Sequence, residues 1–246
     1  DAQESRGLGD VYKRQEFNLV RAPMAVSASP QPTAARMPRQ DGQATRQQIL
    51  ETAGQLFAEL GYANTTSKQI CENSRANNAS VNYHFENKDG LYRAVLREAH
   101  DRLVRIETMI SLSESQGSPE DKLRAIITVL IEGLGNQREG WALKVLTREL
   151  LSPSAVLPAI LEEQAFPKAK IVRTILGQIM DLSPEDPVTL RSAVSVFAPC
   201  LFLLIAHQPL ARNVLPGLEL DPPALIEHMM SYALAGLAAV SRTPGV

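Results

Sequence analysis

Six of the nine residues from Asn77 to Phe85, the run NNASVNYHF, carry hydrogen-bonding side chains. Val81 and Phe85 are four residues apart, so on a helix they share one face and turn inward. Asn78, Ala79, Ser80, Asn82, Tyr83 and His84 are then left for the outer surface. The carboxamide of Asn78 can donate to and accept from an adenine edge at once, and the methyl of Ala79 suits a thymine methyl. Ser80, Tyr83 and His84 have the reach for phosphate oxygens. The chemistry on offer is recognition of a major groove, without bond making.

Elsewhere the residues offer little for catalysis. His84, His100, His207 and His228 stand singly, without metal-ligand spacing. There is no G-x-S-x-G, P-loop or G-x-G-x-x-G motif. Glu162-Glu163 and Arg148-Glu149 read as solvated or paired charges. No enzymatic activity, cofactor or metal is expected. Cys71 and Cys200 each sit in an apolar helical pattern, as buried free thiols do in a reducing compartment.

A polar reading face needs a scaffold. Thr66 with Gln69 forms a capping box ahead of the apolar pair Ile70 and Cys71. Ser74-Arg75-Ala76 breaks the helix, and Asn77 caps the next one. Two short helices joined by a tight turn, the second polar and exposed, form a helix-turn-helix pattern. Upstream, Thr45 with Gln48 is expected to open a helix. Its apolar stripe is Ile49, Leu50, Ala53, Leu56, Phe57 and Leu60, and Gly61 stops it. Downstream, Leu91, Ala94, Val95, Ala99, Leu103, Ile106 and Ile110 predict one rod from Asn87 to Leu112, about 25 residues and about 37 Å long.

The rest of the chain also reads as helix. Expected segments are 119–134, 138–151, 167–181, one begun by Ser183-Pro184 and running to His207, and a last one from Asp221-Pro222 to Val240. No strand-period alternation stands out, so the fold class is all-α. From Val194 to Ala206 and from Tyr232 to Val240 the residues are apolar or small on every side. A helix of that kind must be buried on more than one face, and a partner chain is the natural cover.

Composition sets bounds. Net charge is −2, with no global basic signature for nucleic acid. Between residues 38 and 92 Lys and Arg number five (39, 46, 68, 75, 88) against six Asp and Glu (41, 51, 59, 72, 86, 89). Affinity for DNA must therefore come from local placement of a few cations. The longest apolar run, Ala193 to Ala206, is 14 residues and contains Pro199. That is short of the roughly 18 a membrane span needs, so no membrane partner is expected. Residues 1–43 are expected to be disordered, with no apolar signal-peptide core. Their first 15 residues look unlike the rest, as a cloning remnant would, with Met24 or Met37 as candidate starts. The functional alternative is a basic arm using Arg36 and Arg39 on DNA.

The segment from Thr45 to Ala94 resembles the DNA-binding domain of the TetR family of one-component bacterial regulators. The matching residues are ILETAGQLFAELGY, then TT and QI, then NYHF, then NK followed by LY. Two positions depart from the family pattern, which usually has Gly at Arg75 and an aromatic at Asn82. The phrase NNASVNYHFENKDGLYRAV, with REL and a Pro-rich follow-on at 148–158, is similar to the subgroup with a CerR-type C-terminal domain.

The resemblance implies three regions: an arm at 1–43, a three-helix helix-turn-helix domain at 44–92, and a helical effector-binding and dimerisation domain at 93–246. Lys68 stands where the family often has a cation reaching DNA, and Lys88 resembles its phosphate-contacting lysine. With Thr66, these join the reading-face residues as the DNA-binding set. The last two helices would build a four-helix dimer interface from Phe197, Leu201, Met229, Ala233, Gly236, Leu237 and Val240. A ligand cavity would draw on Trp141, Met180, Phe197, Phe202 and His207, with Arg148 as polar anchor. The expected function is sequence-specific transcriptional regulation in the cytoplasm. A homodimeric repressor would sit on a pseudo-palindromic double-stranded operator and be released by an unidentified, largely apolar small molecule. The alternative is a helical small-molecule-binding dimer that no longer binds DNA specifically. An all-α enzyme is a remote third.

Overall fold

The computed structural model describes residues 38–136, 140–209, 213–215 and 221–242, apart from the side chains of 38–41, 134–136 and 204–209. The expectations for residues 1–37 lie outside the described residues. Among the described residues every regular element is helical. They are α1 (Pro38–Leu60), α2 (Ser67–Ser74), α3 (Asn78–Phe85), α4 (Lys88–Leu103), α5 (Ile106–Glu114), α6 (Pro119–Asn136), α7 (Trp141–Leu151), α8 (Leu157–Ile160), a π-helical turn (Leu161–Ala165), α9 (Phe166–Met180), α10 (Pro187–Pro209) and α11 (Pro222–Ser241).

Start signals explain most of these boundaries, and two compete. Pro38 opens α1 seven residues before Thr45, so Thr45 is an interior residue and not the cap expected above. Similarly, α10 begins at Pro187 and not after Ser183. The sequence SPEDP holds two cap-plus-proline pairs, and the Asp186 carboxylate accepts from the Val188 amide at 2.7 Å.

The expected rod is two helices. Val104 (φ −159°, ψ 125°) and Arg105 (φ −74°, ψ 143°) are extended, and α5 restarts at Ile106. No glycine or proline makes this break. Tertiary partners hold it: Arg102 turns to Glu51 on α1 (2.7 Å), and the buried Lys168 ammonium donates to the His100 carbonyl at 3.4 Å. A cation at the exposed carbonyls of a helix C-terminus favours stopping there.

Two apolar clusters result. The first joins Ile49, Ala53 and Phe57 of α1, Ile70 of α2, Val81 and Phe85 of α3, and Leu91, Tyr92, Val95 and Leu96 of α4. It also contains Trp141, Ala142 and Val145 of α7, and Ile160. One helix and two short ones, α1 to α3, share too little core to stand alone. Here α7, some fifty residues downstream, closes that core. The approach of α1 to α7 is close enough that a Cβ on Gly54 would lie 2.5 Å from the Trp141 ring. The second cluster is built from α6, α9, α10 and α11 with Met109 of α5.

By length and composition α11 is apolar enough to cross a bilayer. Four of its residues, Ile226, Met230, Ala233 and Leu237, are buried in the second cluster.

Candidate nucleic-acid interface

Local chemistry builds α2 and α3 as expected. The Thr66 hydroxyl accepts from the Gln69 amide (3.2 Å), and the Thr66 amide donates to Gln69 Oε1 (2.8 Å). The Thr66 hydroxyl also donates to Gln69 Oε1 at 2.9 Å, so this side chain is occupied with capping. Arg75 takes the left-handed conformation (φ 53°, ψ 25°), and the Ala76 amide closes on the Cys71 carbonyl at 3.2 Å. Without a glycine, that turn costs about 1–2 kcal/mol. Asn77 Oδ1 accepts from the Ser80 amide at 2.8 Å and starts α3.

On α3, Val81 and Phe85 are buried, 2% and 5% exposed, and fix which face looks out. Asn78, Ala79, Asn82 and Tyr83 are exposed, with Tyr83 at 85%. Ser80 and His84 are half-buried at the edge of that face. The Tyr83 and His84 rings meet edge to face at 4.9 Å. The outward set predicted from spacing is thus brought together on one helix.

The turn from α3 into α4 is tight. Glu86 has φ 68° and ψ −55°, and the Asn87 amide reaches back to the Phe85 carbonyl at 2.7 Å. This is the strained form of the three-residue γ-turn. Asn87 then caps α4 by accepting from the Gly90 amide at 2.9 Å. A Cβ on Gly90 would stand 2.1 Å from the Phe85 carbonyl oxygen, so this position admits only glycine. The orientation of α3 is therefore fixed to α4 through backbone geometry.

Cations sit unevenly around this face. Lys68 is 3.9 Å from Glu72, with both side chains largely in solvent. Such a pair contributes under about 1 kcal/mol and exchanges readily for another anion. Lys88 Nζ lies 4.2 Å from the centre of the Tyr62 ring. The Tyr62 hydroxyl bonds the Asp89 carboxylate, which pushes its pKa up to about 12. Arg46 lies 5.0 Å over the Phe85 ring. Neither Tyr62 nor Arg46 carried a signal of its own in the sequence, because their partners are 26 and 39 positions away.

Contacts from α7 run into the same unit. Trp141 Nε1 donates to Glu51 at 2.7 Å. Burial pushes the Glu51 carboxyl up, but the bonds from Arg102 and Trp141 outweigh it and hold it below the usual range. Arg148 donates to the carbonyls of Ala58 (2.8 Å) and Glu59 (2.9 Å), satisfying the end of α1. The buried Glu149 accepts from the Tyr92 hydroxyl at 2.7 Å and from Ser154. Burial, first, and this carboxylate, second, push the Tyr92 pKa up.

These contacts correct the proposed cavity set. Trp141 belongs to the first cluster and Arg148 caps α1, so neither meets Met180 and Phe197 in the second. Phe202 is 55% exposed. The side chain of His207 lies outside the described residues. The interface set divides as well. Ala233 and Leu237 point into the chain's own core, at 7% and 2% exposure. Leu201, Gly236 and Val240 are exposed, with Phe197 and Met229 half-buried. The outward apolar face of the last two helices also includes Val194, Phe202 and Tyr232.

Comparison with known proteins accords with this geometry. Residues 49–95 match the family of bacterial regulatory proteins, tetR family. Residues 119–239 match the C-terminal domain of the HTH-type transcriptional dual regulator CecR, the subgroup written CerR above. The uncharacterized HTH-type transcriptional regulator YvkB of Bacillus subtilis is 31% identical over 105 residues, 43% of this chain and 52% of that protein. The HTH-type transcriptional regulator TtgR of Pseudomonas putida is 34% identical over 95 residues, covering 37% of this chain and 43% of the relative. The alignments thus span about half the length of these curated relatives, or less. Among solved structures, the transcriptional regulator FadR from Bacillus subtilis in complex with stearoyl-CoA superposes with a TM-score of 0.60 at 18% identity, over 77% of this chain and 98% of that one. With the helix-turn-helix geometry and both domain matches in agreement, the chain belongs to the TetR family, with a C-terminal domain of the CecR type.

Proposed function

We propose that this protein is a homodimeric, sequence-specific DNA-binding transcriptional regulator acting as a repressor in the bacterial cytoplasm. The observation that carries the reading is α3: an exposed polar face with Val81 and Phe85 locked beneath it and a rigid turn tying it to α4. Asn78 and Ala79 supply base-edge contacts, Asn82, Tyr83, Ser80 and His84 flank them, and Lys68 and Lys88 meet phosphates. The exposed apolar face of α10 and α11 is the surface a second copy covers. In a two-fold dimer both reading helices dock together only when about 34 Å apart, one turn of DNA.

The second apolar cluster is the place for a small, largely apolar effector. A structural neighbour, FadR of Bacillus subtilis, was solved with stearoyl-CoA, which makes acyl-type molecules the first candidates. An effector acts only through its differential affinity for the two states, typically 1–3 kcal/mol of coupling. Coupling passes through α7, whose Trp141, Arg148 and Glu149 grip α1 and α4, more than through one continuous rod. Selection of bound fragments from genomic DNA tests the reading. A shared pseudo-palindrome is expected. Recovery of fragments with no common element at moderate salt contradicts it and favours the dimer that has lost specific DNA binding.

A further inference from the structure

We propose that Arg46 and Lys88 form a two-cation clamp on the DNA backbone at the junction of α3 and α4, with Tyr62 as the residue that positions Lys88. The proposal rests on the DNA-binding reading above and adds a phosphate-binding residue, Arg46, that lies ahead of the family match at 49–95.

Three observations carry it. First, both cations are seated on aromatic rings, Arg46 over Phe85 at 5.0 Å and Lys88 over Tyr62 at 4.2 Å. A ring face orients a cation without neutralising it. Second, among the described residues neither is ion-paired, whereas four other cations of α2 and α4 are. Lys68 meets Glu72, Arg93 and Arg97 meet Glu163, and Arg102 meets Glu51 and Glu98. Asp89, the acid adjacent to Lys88 in sequence, is engaged by the Tyr62 hydroxyl, and the exposed residues within three positions of Arg46 in sequence, Gln43, Ala44, Gln47 and Gln48, are uncharged. Third, Phe85 begins the strained turn that sets α3 against α4, and Lys88 directly follows its last residue, Asn87. Both charges are therefore referenced to the reading helix itself. In a segment with more acids than bases, two oriented and unneutralised cations are what phosphates can use. Tyr62 serves twice, with its ring under Lys88 and its hydroxyl on Asp89.

The test is the salt dependence of binding to a fluorescein-labelled random-sequence duplex, read by anisotropy on the full chain. Each neutralised phosphate contact contributes about 0.9 to the slope of log K against log salt. Arg46→Gln and Lys88→Gln are each expected to lower the slope by about one, and the double variant by about two. Arg46→Lys, which keeps the charge, retains the parental slope. Tyr62→Leu lowers the slope in the parent but not in Lys88→Gln, a pattern that loss of structure does not produce. Thermal melts of Arg46→Gln and Lys88→Gln are expected to match the parent. A parental slope in Arg46→Gln overturns the clamp while leaving DNA binding intact. A parent protein with no salt-dependent binding to the duplex overturns the clamp and the DNA-binding reading together.

Discussion

Gly54→Ala tests the grip of α7 on α1 and the helix-turn-helix, because its sign depends on one ring. The new methyl would meet three atoms of the Trp141 indole at 2.5, 2.5 and 2.7 Å. Carbon atoms rest at about 3.5–4.0 Å, so the ring or α7 must retreat by about 1 Å. Overpacking of that kind costs about 1–3 kcal/mol. Against it stands the gain of about 1 kcal/mol from alanine over glycine inside a helix. The net expectation is a destabilisation of about 1 kcal/mol. In a Trp141→Leu background the clash is gone, and the same substitution should stabilise by about 1 kcal/mol. Urea unfolding followed by far-ultraviolet circular dichroism reads all four proteins. If Gly54→Ala stabilises by the same amount with and without the indole, Trp141 does not lie on α1, and the argument that α7 completes the first core fails.

Other expectations follow from single residues. Burial and, secondarily, Lys168 depress the His100 pKa to about 4 from the ordinary 6.5. The unfolded chain therefore takes up the proton first. Stability is full above pH 6.5 and falls toward pH 4 by up to about 3 kcal/mol, and His100→Asn should flatten that part of the profile. Arg75→Gly removes a left-handed non-glycine residue and should raise stability by about 1 kcal/mol, measured by the urea midpoint. Gly236 has open space around it on the outward face of α11. Gly236→Asp should leave the monomer folded but convert the dimer to monomer in sedimentation, since an unpaired charge buried in an interface costs several kcal/mol. A Gly236→Asp protein that still sediments as a dimer places the interface elsewhere.

The helix-turn-helix was legible because its signals are local. A capping box with partners three positions apart, a cap at Asn77 and the four-residue spacing of Val81 and Phe85 each act over about one turn. The break after α4 was not legible, because the apolar spacing runs through Leu103, Ile106 and Ile110 without a glycine or proline. Its causes, Glu51 and Lys168, are 51 and 68 residues from the residues they hold. The same distance problem misplaced Trp141 and Arg148, whose partners on α1 are each 90 residues away. In α11 the failure was different. A helix apolar on every side has no period to mark its inward face, so Ala233 and Leu237 read as interface although they fill the chain's own core.

The central claim is that the exposed face of α3 reads bases, and paired selections on a randomised half-site library test it most directly. The parent protein and Asn78→Ala would be taken through the same library and sequenced. A bidentate carboxamide contact is worth about 1–3 kcal/mol of discrimination, so Asn78→Ala should lose preference at one base pair per half-site while the flanking preferences persist. A variant that binds every sequence more weakly by one common factor, with the parental preference intact, would contradict the assignment of Asn78, and with it the account of α3 as the reading helix.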